Sequence, residues 1–508
     1  MTSGFGTPRF FLFPGRLYQR RRKNGIIWAV SEKPTEGRRY QMAFGFFKKK
    51  ETADTILVNG KFITADPEVP QVEALALRNG RIQALGDREV LEEELTGPDT
   101  EIVDLQGMCL MPGLILAPAQ PVLDSFRSLC LMISPQWNRD TIKDEVGKAL
   151  RKKAGLLGYG FSAALLKDMD PEQMRKELDQ VSPIKPIVLM SSDGIQVWLN
   201  TPAIEKARRV AEEEEVSQIT LPFLVGALEL IDTDQLQEQV LLQSGEYCKK
   251  GITALWDTGA PDYFHSLYHE ALVALYQEGF LKQRFYGSVY MDRDVDPKGL
   301  AQKLMQNRTL CNEMNGLVHF TTLHLLRDEK IPEGFGLSRE GLEALATAAS
   351  DRNFHLLLQV RGSQALQETL ETMDRMGRAG GRTPWILSTD AEISSELRQE
   401  IGSIEEWTVI PDMDFEDKIP VITGKPMEEI LDTYLQKPAM LLGEEDVLGR
   451  LEPGSHADFV VFDQNPENKE AKVRYTFLDG QLVYDATEDR PEKWYHEFLE
   501  QWQQEEEE

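Results

Sequence analysis

Gly449-Arg450-Leu451-Glu452-Pro453-Gly454-Ser455-His456-Ala457-Asp458-Phe459-Val460-Val461-Phe462-Asp463 decides the fold. Pro453-Gly454 marks a turn, and Phe459 to Phe462 is an unbroken apolar run, the pattern of a strand buried on both faces. A little further on, Tyr475-Thr476-Phe477-Leu478-Asp479-Gly480-Gln481-Leu482-Val483-Tyr484 reads as a β-hairpin. Its Asp-Gly pair supplies the two positive-φ residues that a tight hairpin turn requires. The chain therefore closes in β-structure.

It opens the same way. Thr55 to Thr64 reads as a hairpin about Asn59-Gly60, and Ala74 to Gly86 as a second about Asn79-Gly80, with a further short strand at Glu101-Ile102-Val103-Asp104-Leu105. These predict a small antiparallel sheet. Between the two ends the pattern changes. Apolar runs at 185–191, 224–230, 252–257, 284–291, 317–325, 355–361 and 384–389 alternate with helical stretches such as 234–250, 264–279, 339–350 and 363–376. Apolar strands alternating with helices imply a parallel sheet covered by helices. About eight such units suit a (β/α)8-type TIM barrel, whole or short of a unit. The expected organisation is a composite β-sandwich domain from 53–112 and 447–485, an α/β barrel over 113–446, and a C-terminal helix with an acidic tail over 486–508.

Composition narrows the function classes. The chain has 508 residues, 41% of them apolar, enough for a large interior, and no run of 18 apolar residues that would span a membrane. A formal net charge of -28 disfavours nucleic acid and anionic membranes as partners. A small-molecule ligand and a homodimeric partner are the compatible expectations. The four cysteines have no CxxC spacing, which argues against a thiolate zinc site or a disulfide framework and fits a reducing cytoplasm. Residues 1–50 stand apart, with twelve Lys or Arg against Glu32 and Glu36. They are expected to be a basic extension, disordered or absent from the mature chain. A transit peptide and a true start at Met42 are both compatible with them.

The motifs also carry a resemblance. Leu57-Val58-Asn59-Gly60, Arg78-Asn79-Gly80-Arg81-Ile82, Asp104-Leu105-Gln106-Gly107, and Met111-Pro112-Gly113-Leu114-Ile115 are similar to the first β-segment and first barrel strand of the family-3 amidohydrolases. Asp193-Gly194, Val197 to Ala203, Gly226 to Glu229, Gly251 to Asp257 and the closing Gly449 to Asp463 fit the same order. The resemblance covers roughly residues 53–485. It implies a metal-dependent hydrolase of non-peptide C–N bonds, with a divalent ion such as zinc at the strand ends. Such an ion lowers the pKa of a bound water and polarises the scissile carbonyl.

The residues that the resemblance would assign to that ion are different here. The family's His-x-His falls on Pro118 and Gln120, and later histidine positions fall on Ile195 and Gln359. Proline offers no donor atom, isoleucine none, and glutamine a weak neutral one. No metal cofactor is therefore expected. The seven histidines are His265, His269, His319, His324, His355, His456 and His496. His265 and His269 share a helix face at i, i+4 spacing, without the HExxH order of a zinc helix. His319 and His355 begin their strands and are expected at the non-catalytic end; His324 is nearer its strand end.

Asp390, Asp257 and His324 are the candidate catalytic residues. Trp198 and Glu229 are candidate substrate-binding residues. Glu229 and Asp257 could act as acid or base, or could simply hydrogen-bond loop backbone; Trp198 and Trp256 could line a pocket or pack. Three functions follow: a degenerate amidohydrolase relative that binds a ligand or partner without metal, a hydrolase with an altered or metal-free site, and a structural oligomer subunit.

Overall fold

A computed structural model describes residues 51–488 apart from 70–71, 193–195, 214–220, 261, 281, 314–315, 332–335, 378–384, 395–406 and 412–420. The basic extension, the C-terminal helix expected from residue 486, and Ile195 fall largely or wholly outside the described residues. Along the chain run β1 (Thr55–Val58), β2 (Lys61–Phe62), β3 (Ala74–Arg78), β4 (Arg81–Gly86), α1 (Arg88–Leu95), β5 (Glu101–Asp104), β6 (Cys109–Pro112), β7 (Leu114–Ala119) and α2 (Pro121–Leu129). There follow β8 (Leu131–Met132), α3 (Arg139–Ala149), β9 (Leu156–Phe161), α4 (Pro171–Val181), β10 (Ile187–Ser191), β11 (Val197–Leu199), α5 (Thr201–Glu213), α6 (Leu221–Ala227) and α7 (Thr233–Lys249). The second half has β12 (Ile252–Asp257), α8 (Asp262–Gln277), β13 (Arg284–Met291), α9 (Pro297–Glu313), β14 (Val318–Asp328), α10 (Arg339–Ser350), β15 (His355–Arg361), α11 (Ser363–Gly377), β16 (Trp385–Thr389) and β17 (Trp407–Pro411). It closes with α12 (Met427–Leu431), a π-helical turn (Asp432–Gln436), α13 (Lys437–Leu442), β18 (Phe459–Phe462), β19 (Val473–Leu478) and β20 (Gln481–Asp485).

Among the described residues the barrel is a seven-stranded parallel sheet of order β17-β16-β15-β14-β13-β12-β7. It curls: Ile115 of β7, Trp256 of β12, Leu357 of β15, Ile386 of β16 and Ile410 of β17 meet in one inner cluster. Among the described residues the two edge strands are not paired. Ala439 and Leu442 of α13, with Leu448 beyond it, join the same cluster. This is a TIM-barrel-like fold with extra sheets.

The run Phe459–Phe462 is completely buried because both its faces are used. Phe459 and Val461 pack with Leu57, Phe62, Leu75 and Leu110 from the start of the chain. Val460 and Phe462 face the body of the barrel. Each buried side chain of this size stabilises the fold by about 1.5–3 kcal/mol. β18 lies between β6 and β19, so both ends of the chain contribute to one sheet, β2-β6-β18-β19-β20.

Four expectations are corrected. Thr55–Thr64 is not a hairpin: β1 pairs with β3 and β5, whereas β2 pairs with β6 in the other sheet. The reason lies in the turn. At Asn79-Gly80 and Asp479-Gly480 both residues have positive φ, but at the first Asn-Gly only Asn59 does. The terminal sheets are also not wholly antiparallel, since β1–β5 and β2–β6 run parallel. The apolar run at 224–230 falls in helix α6 and the turn after it; so short a run does not distinguish strand from helix. Finally, the strand at 185–191 is β10, which belongs to a separate four-stranded sheet, β11-β10-β9-β8, inserted between the first and second barrel strands.

Candidate functional site

In parallel barrels the C-terminal strand ends carry chemistry. Alternation along each strand fixes which side chains reach the interior. On β12, Ala254 and Trp256 point inward. On β13, β15 and β16 the inward residues Tyr286, Leu357 and Ile386 are followed, two positions on, by Ser288, Gln359 and Ser388. On β14 the pairing shifts where Gly287 opposes Phe320 and Ser288 opposes Thr322, which sends Phe320, Leu323 and Leu325 outward and His324 inward. An apolar floor is thus topped by Ser288, His324, Gln359 and Ser388, all at most 1% exposed.

Hydrogen bonds tie this layer together. The Thr258 backbone N–H and hydroxyl both donate to the Ala119 carbonyl, at 3.0 and 3.2 Å. Gln120 Nε2 donates to Thr258 Oγ1 at 3.4 Å, and Ser288 Oγ donates to the Asp257 carbonyl at 2.7 Å. His324 Nδ1 lies 2.6 Å from the Thr258 carbonyl. A carbonyl can only accept, so the proton sits on Nδ1. Burial pushes the His324 imidazole down to about 4, against the smaller opposing pull of the Thr258 carbonyl and the Gln359 side chain. The ring is therefore neutral at pH 7. Tyr290 stands edge-on to it, with ring centres 5.0 Å apart.

The other candidates do not join His324. Asp257 follows inward-facing Trp256 and so faces outward. Its Oδ1 accepts the Gly259 N–H at 3.0 Å, and its Oδ2 lies 3.8 Å from His265 Nε2 on α8. Asp390 is exposed just beyond β16, where its Oδ1 accepts the Gly362 N–H at 2.8 Å at the head of α11. Glu329 Oε2 accepts the Gln364 N–H of the same helix turn at 3.1 Å. Both carboxylates thus complement a helix N-terminus.

Trp198 is fully buried in the inserted sheet. Its Nε1 donates to the Met174 carbonyl at 2.6 Å and its ring meets Phe161 edge-on. Glu229 is exposed after α6 and pairs with Lys206 at 3.1 Å. Pro118 is half-buried on β7 and Gln120 is buried just past its end. Sequence reasoning missed Thr258, Ser288 and Ser388; the available signal was a polar residue two positions after an inward apolar one near a strand end.

A hydrolytic divalent ion makes a definite demand on its donor set. Such an ion takes imidazoles, thiolates or carboxylates in convergent geometry. Among the described residues this layer offers one imidazole, with Nδ1 bonded to a carbonyl and only Nε2 left as a donor atom, and neutral amides and hydroxyls around it. Of the other histidines, His265 and His269 lie on α8 outside the barrel wall, and His319 Nε2 donates to the Gly316 carbonyl, 2.7 Å away. His355 Nδ1 faces the Leu441 carbonyl at 3.3 Å, and His456 lies in the terminal sheet region. The set does not fit the ion.

One convergent group of potential ligands exists among the described residues: His456, Asp458 and Asp479. It lies at the opposite end of the barrel, and Arg284 already occupies it. The guanidinium makes two bonds to Asp458, at 2.6 and 3.1 Å, and one to Asp479. Burial would pull Arg284 down, but Asp458 and Asp479 together hold it above its ordinary value.

A curled parallel barrel, with a flanking sheet built from both chain termini, is a fold also found among solved metal-dependent hydrolases. Residues 400–484 match the model of the amidohydrolase family. The chain resembles a metal-dependent hydrolase from Pyrococcus furiosus, with 14% identity and a TM-score of 0.54, covering 82% of this chain and all of that one. It is 25% identical over 228 residues to Protein LONG AFTER FAR-RED 3 of Arabidopsis thaliana, covering 41% of this chain. It is also 27% identical over 154 residues to the putative amidohydrolase YtcJ of Bacillus subtilis, covering 29% of this chain. The matched stretches span 38% and 29% of those two relatives. No helix among the described residues is long and apolar enough to cross a membrane.

Proposed function

We propose that this chain is a metal-free amidohydrolase relative that binds a small molecule at the strand ends of its barrel and does not hydrolyse it. The reading is supported chiefly by the strand-end layer itself. Ser288, His324, Gln359 and Ser388 are buried, neutral and turned inward, while Asp257 and Asp390 are committed to backbone N–H groups elsewhere. Metal-assisted hydrolysis needs an ion to generate hydroxide near neutral pH. A neutral imidazole with its Nδ1 proton held by a carbonyl has no carboxylate to orient it as a general base. The described cysteines, Cys109, Cys130 and Cys248, are free and buried, in keeping with work in a reducing cytoplasm.

The test is elemental analysis of the full chain after purification and dialysis, with an amide and ester hydrolysis panel run on the same sample. The expected result is metal far below one equivalent per chain and no turnover. Stoichiometric zinc that survives dialysis would overturn the metal-free reading. Turnover by metal-free protein, abolished by His324→Gln, would overturn the non-catalytic half and establish a metal-free hydrolase.

A further inference from the structure

Asp257 and His324 lie on opposite faces of the barrel wall, yet one peptide group touches both. The unit between Thr258 and Gly259 has two polar ends. Its N–H, on Gly259, donates to Asp257 Oδ1 at 3.0 Å. Its carbonyl, on Thr258, lies 2.6 Å from His324 Nδ1 and accepts the imidazole proton. The preceding unit, between Asp257 and Thr258, is anchored separately. Ser288 Oγ donates to its carbonyl at 2.7 Å, and its N–H donates to the Ala119 carbonyl at 3.0 Å. The Asp257 carboxylate therefore holds the peptide that meets the imidazole. Asp257 is 0% exposed and His324 1% exposed, so bulk water is at hand for neither bond.

That peptide needs holding. Gly259 has φ +84°, and glycine also tolerates the dihedrals reached when such a peptide turns over. Turned over, the unit would aim its N–H at His324 Nδ1 in place of its carbonyl. A carbonyl demands a proton on Nδ1; an N–H demands a lone pair there and moves the proton to Nε2. The ring is buried and edged by Tyr290 at 5.0 Å, so the orientation of this one peptide decides which of its nitrogens accepts. The peptide passes on orientation and not a full charge. Asp257 thus gives the ring a fixed tautomer without becoming the carboxylate partner of a general base.

We propose that Asp257 is a positioning residue, which acts through the Thr258–Gly259 peptide to hold His324 in the tautomer with its proton on Nδ1 and an acceptor at Nε2. The inference rests on the metal-free binding reading and deepens it: the imidazole offers an acceptor and not a donor. The residue that fixes this stands outside the barrel wall and touches no part of the ring.

The test uses the full chain with 15N-labelled histidine, in which the His324→Asn variant identifies the His324 ring signals. The ring-nitrogen shifts separate the two neutral tautomers, a signature that a change in stability alone does not move. The parent chain near pH 7 should show one tautomer, protonated on Nδ1. Asp257→Asn keeps an oxygen for the Gly259 N–H and should keep that spectrum. Asp257→Ala removes the oxygen and should lose the single tautomer, with the Nε2–H form appearing. Should Asp257→Ala fail to fold, Asp257→Ser, whose hydroxyl reaches the same N–H more weakly, should show a partial change. Two tautomers in the parent chain, or Asp257→Ala and Asp257→Ser spectra that match it, contradict the proposal, as does a loss in Asp257→Asn as complete as in Asp257→Ala. Metal is measured on the same dialysed samples, and any zinc is stripped before the spectra are taken. Zinc thus counts against the metal-free reading, whereas a tautomer that ignores Asp257 counts only against this one.

Discussion

The two ends of the barrel treat polar side chains in opposite ways. At the N-terminal end, Arg284 opens β13 at 1% exposure and is matched by Asp458 and Asp479, with His456 Nδ1 3.1 Å from Asp479. Asp458 Oδ1 also accepts the Asp479 N–H at 2.8 Å, so ions and backbone form one closed knot between barrel and terminal sheet. At the C-terminal end the inward layer is uncharged, and the carboxylates nearest to it cap backbone. A catalytic amidohydrolase would concentrate charge at the second end. Here the dense charge lies at the first, where it holds two parts of the fold together. The comparison teaches that buried charge in this molecule serves assembly, while the end that usually does chemistry is left to neutral hydrogen bonding.

The largest effect should come from breaking the charged end. Arg284→Met leaves Asp458 buried without its partner and should cost about 3–5 kcal/mol, read as a large drop in thermal or denaturant midpoint. Arg284→Met combined with Asp458→Leu should recover part of that loss. If the double variant is no better than the single, the knot is not the electrostatic unit described.

The neutral end should show itself through pH. His324 has its folded-state pKa lowered from 6.5 to about 4, chiefly by burial. The folded state thus binds fewer protons than the unfolded one in that interval. The His324 contribution is intact above pH 6.5 and is lost as pH falls toward 4, by up to about 3 kcal/mol. His269 on α8, also pushed down to about 4 by burial, adds an effect of the same sign. Unfolding midpoints measured across this range should slope less steeply in His324→Asn than in the parent chain. Equal slopes would mean that the ring is not a buried neutral base.

A smaller effect sharpens the account of the displaced carboxylates. Gly362 has φ +95°, and a Cβ there would meet the Glu329 side chain at 1.9 Å. Gly362→Ala should therefore cost about 1–3 kcal/mol, through backbone strain and the loss of the Glu329 and Asp390 caps on α11. Calorimetry of the variant checks it. A loss of only a few tenths would show that those carboxylates are less committed to α11 than their hydrogen bonds imply.

Much of the fold was legible because its signals are local. Asn79-Gly80 and Asp479-Gly480 produced the hairpins they announce, and Phe459–Phe462 is a strand buried on both faces. The alternating middle gave a parallel barrel sheet. What was not legible depended on partners distant in sequence. Nothing within Thr55–Thr64 reveals that its two strands enter different sheets, and nothing within 185–191 reveals that its neighbours are β9 and β11 rather than barrel strands. The candidate site divided in the same way. That Asp257 and Asp390 stand at strand ends could be read from their runs. Their directions could not, because for Asp257 parity is set by Trp256 turning inward and for Asp390 by the Gly362 N–H. The position of His324 depends on an extra residue in β14 relative to β13, a detail of pairing without a sequence signature.

The strand β18 carries a consequence for how the molecule is made. Its Val460 lies against Met111, about 350 residues earlier in the chain. A ribosome must therefore deliver about 350 further residues before β6, already flanked by β2, can acquire β18 on its other edge, and until then Leu110 and Met111 have no cover on that side. Closing so long a loop is slow, and an uncovered strand edge invites pairing with other nascent chains. Late truncations are thus expected to do harm out of proportion to their length, appearing as aggregation during synthesis rather than as a shorter, still folded protein.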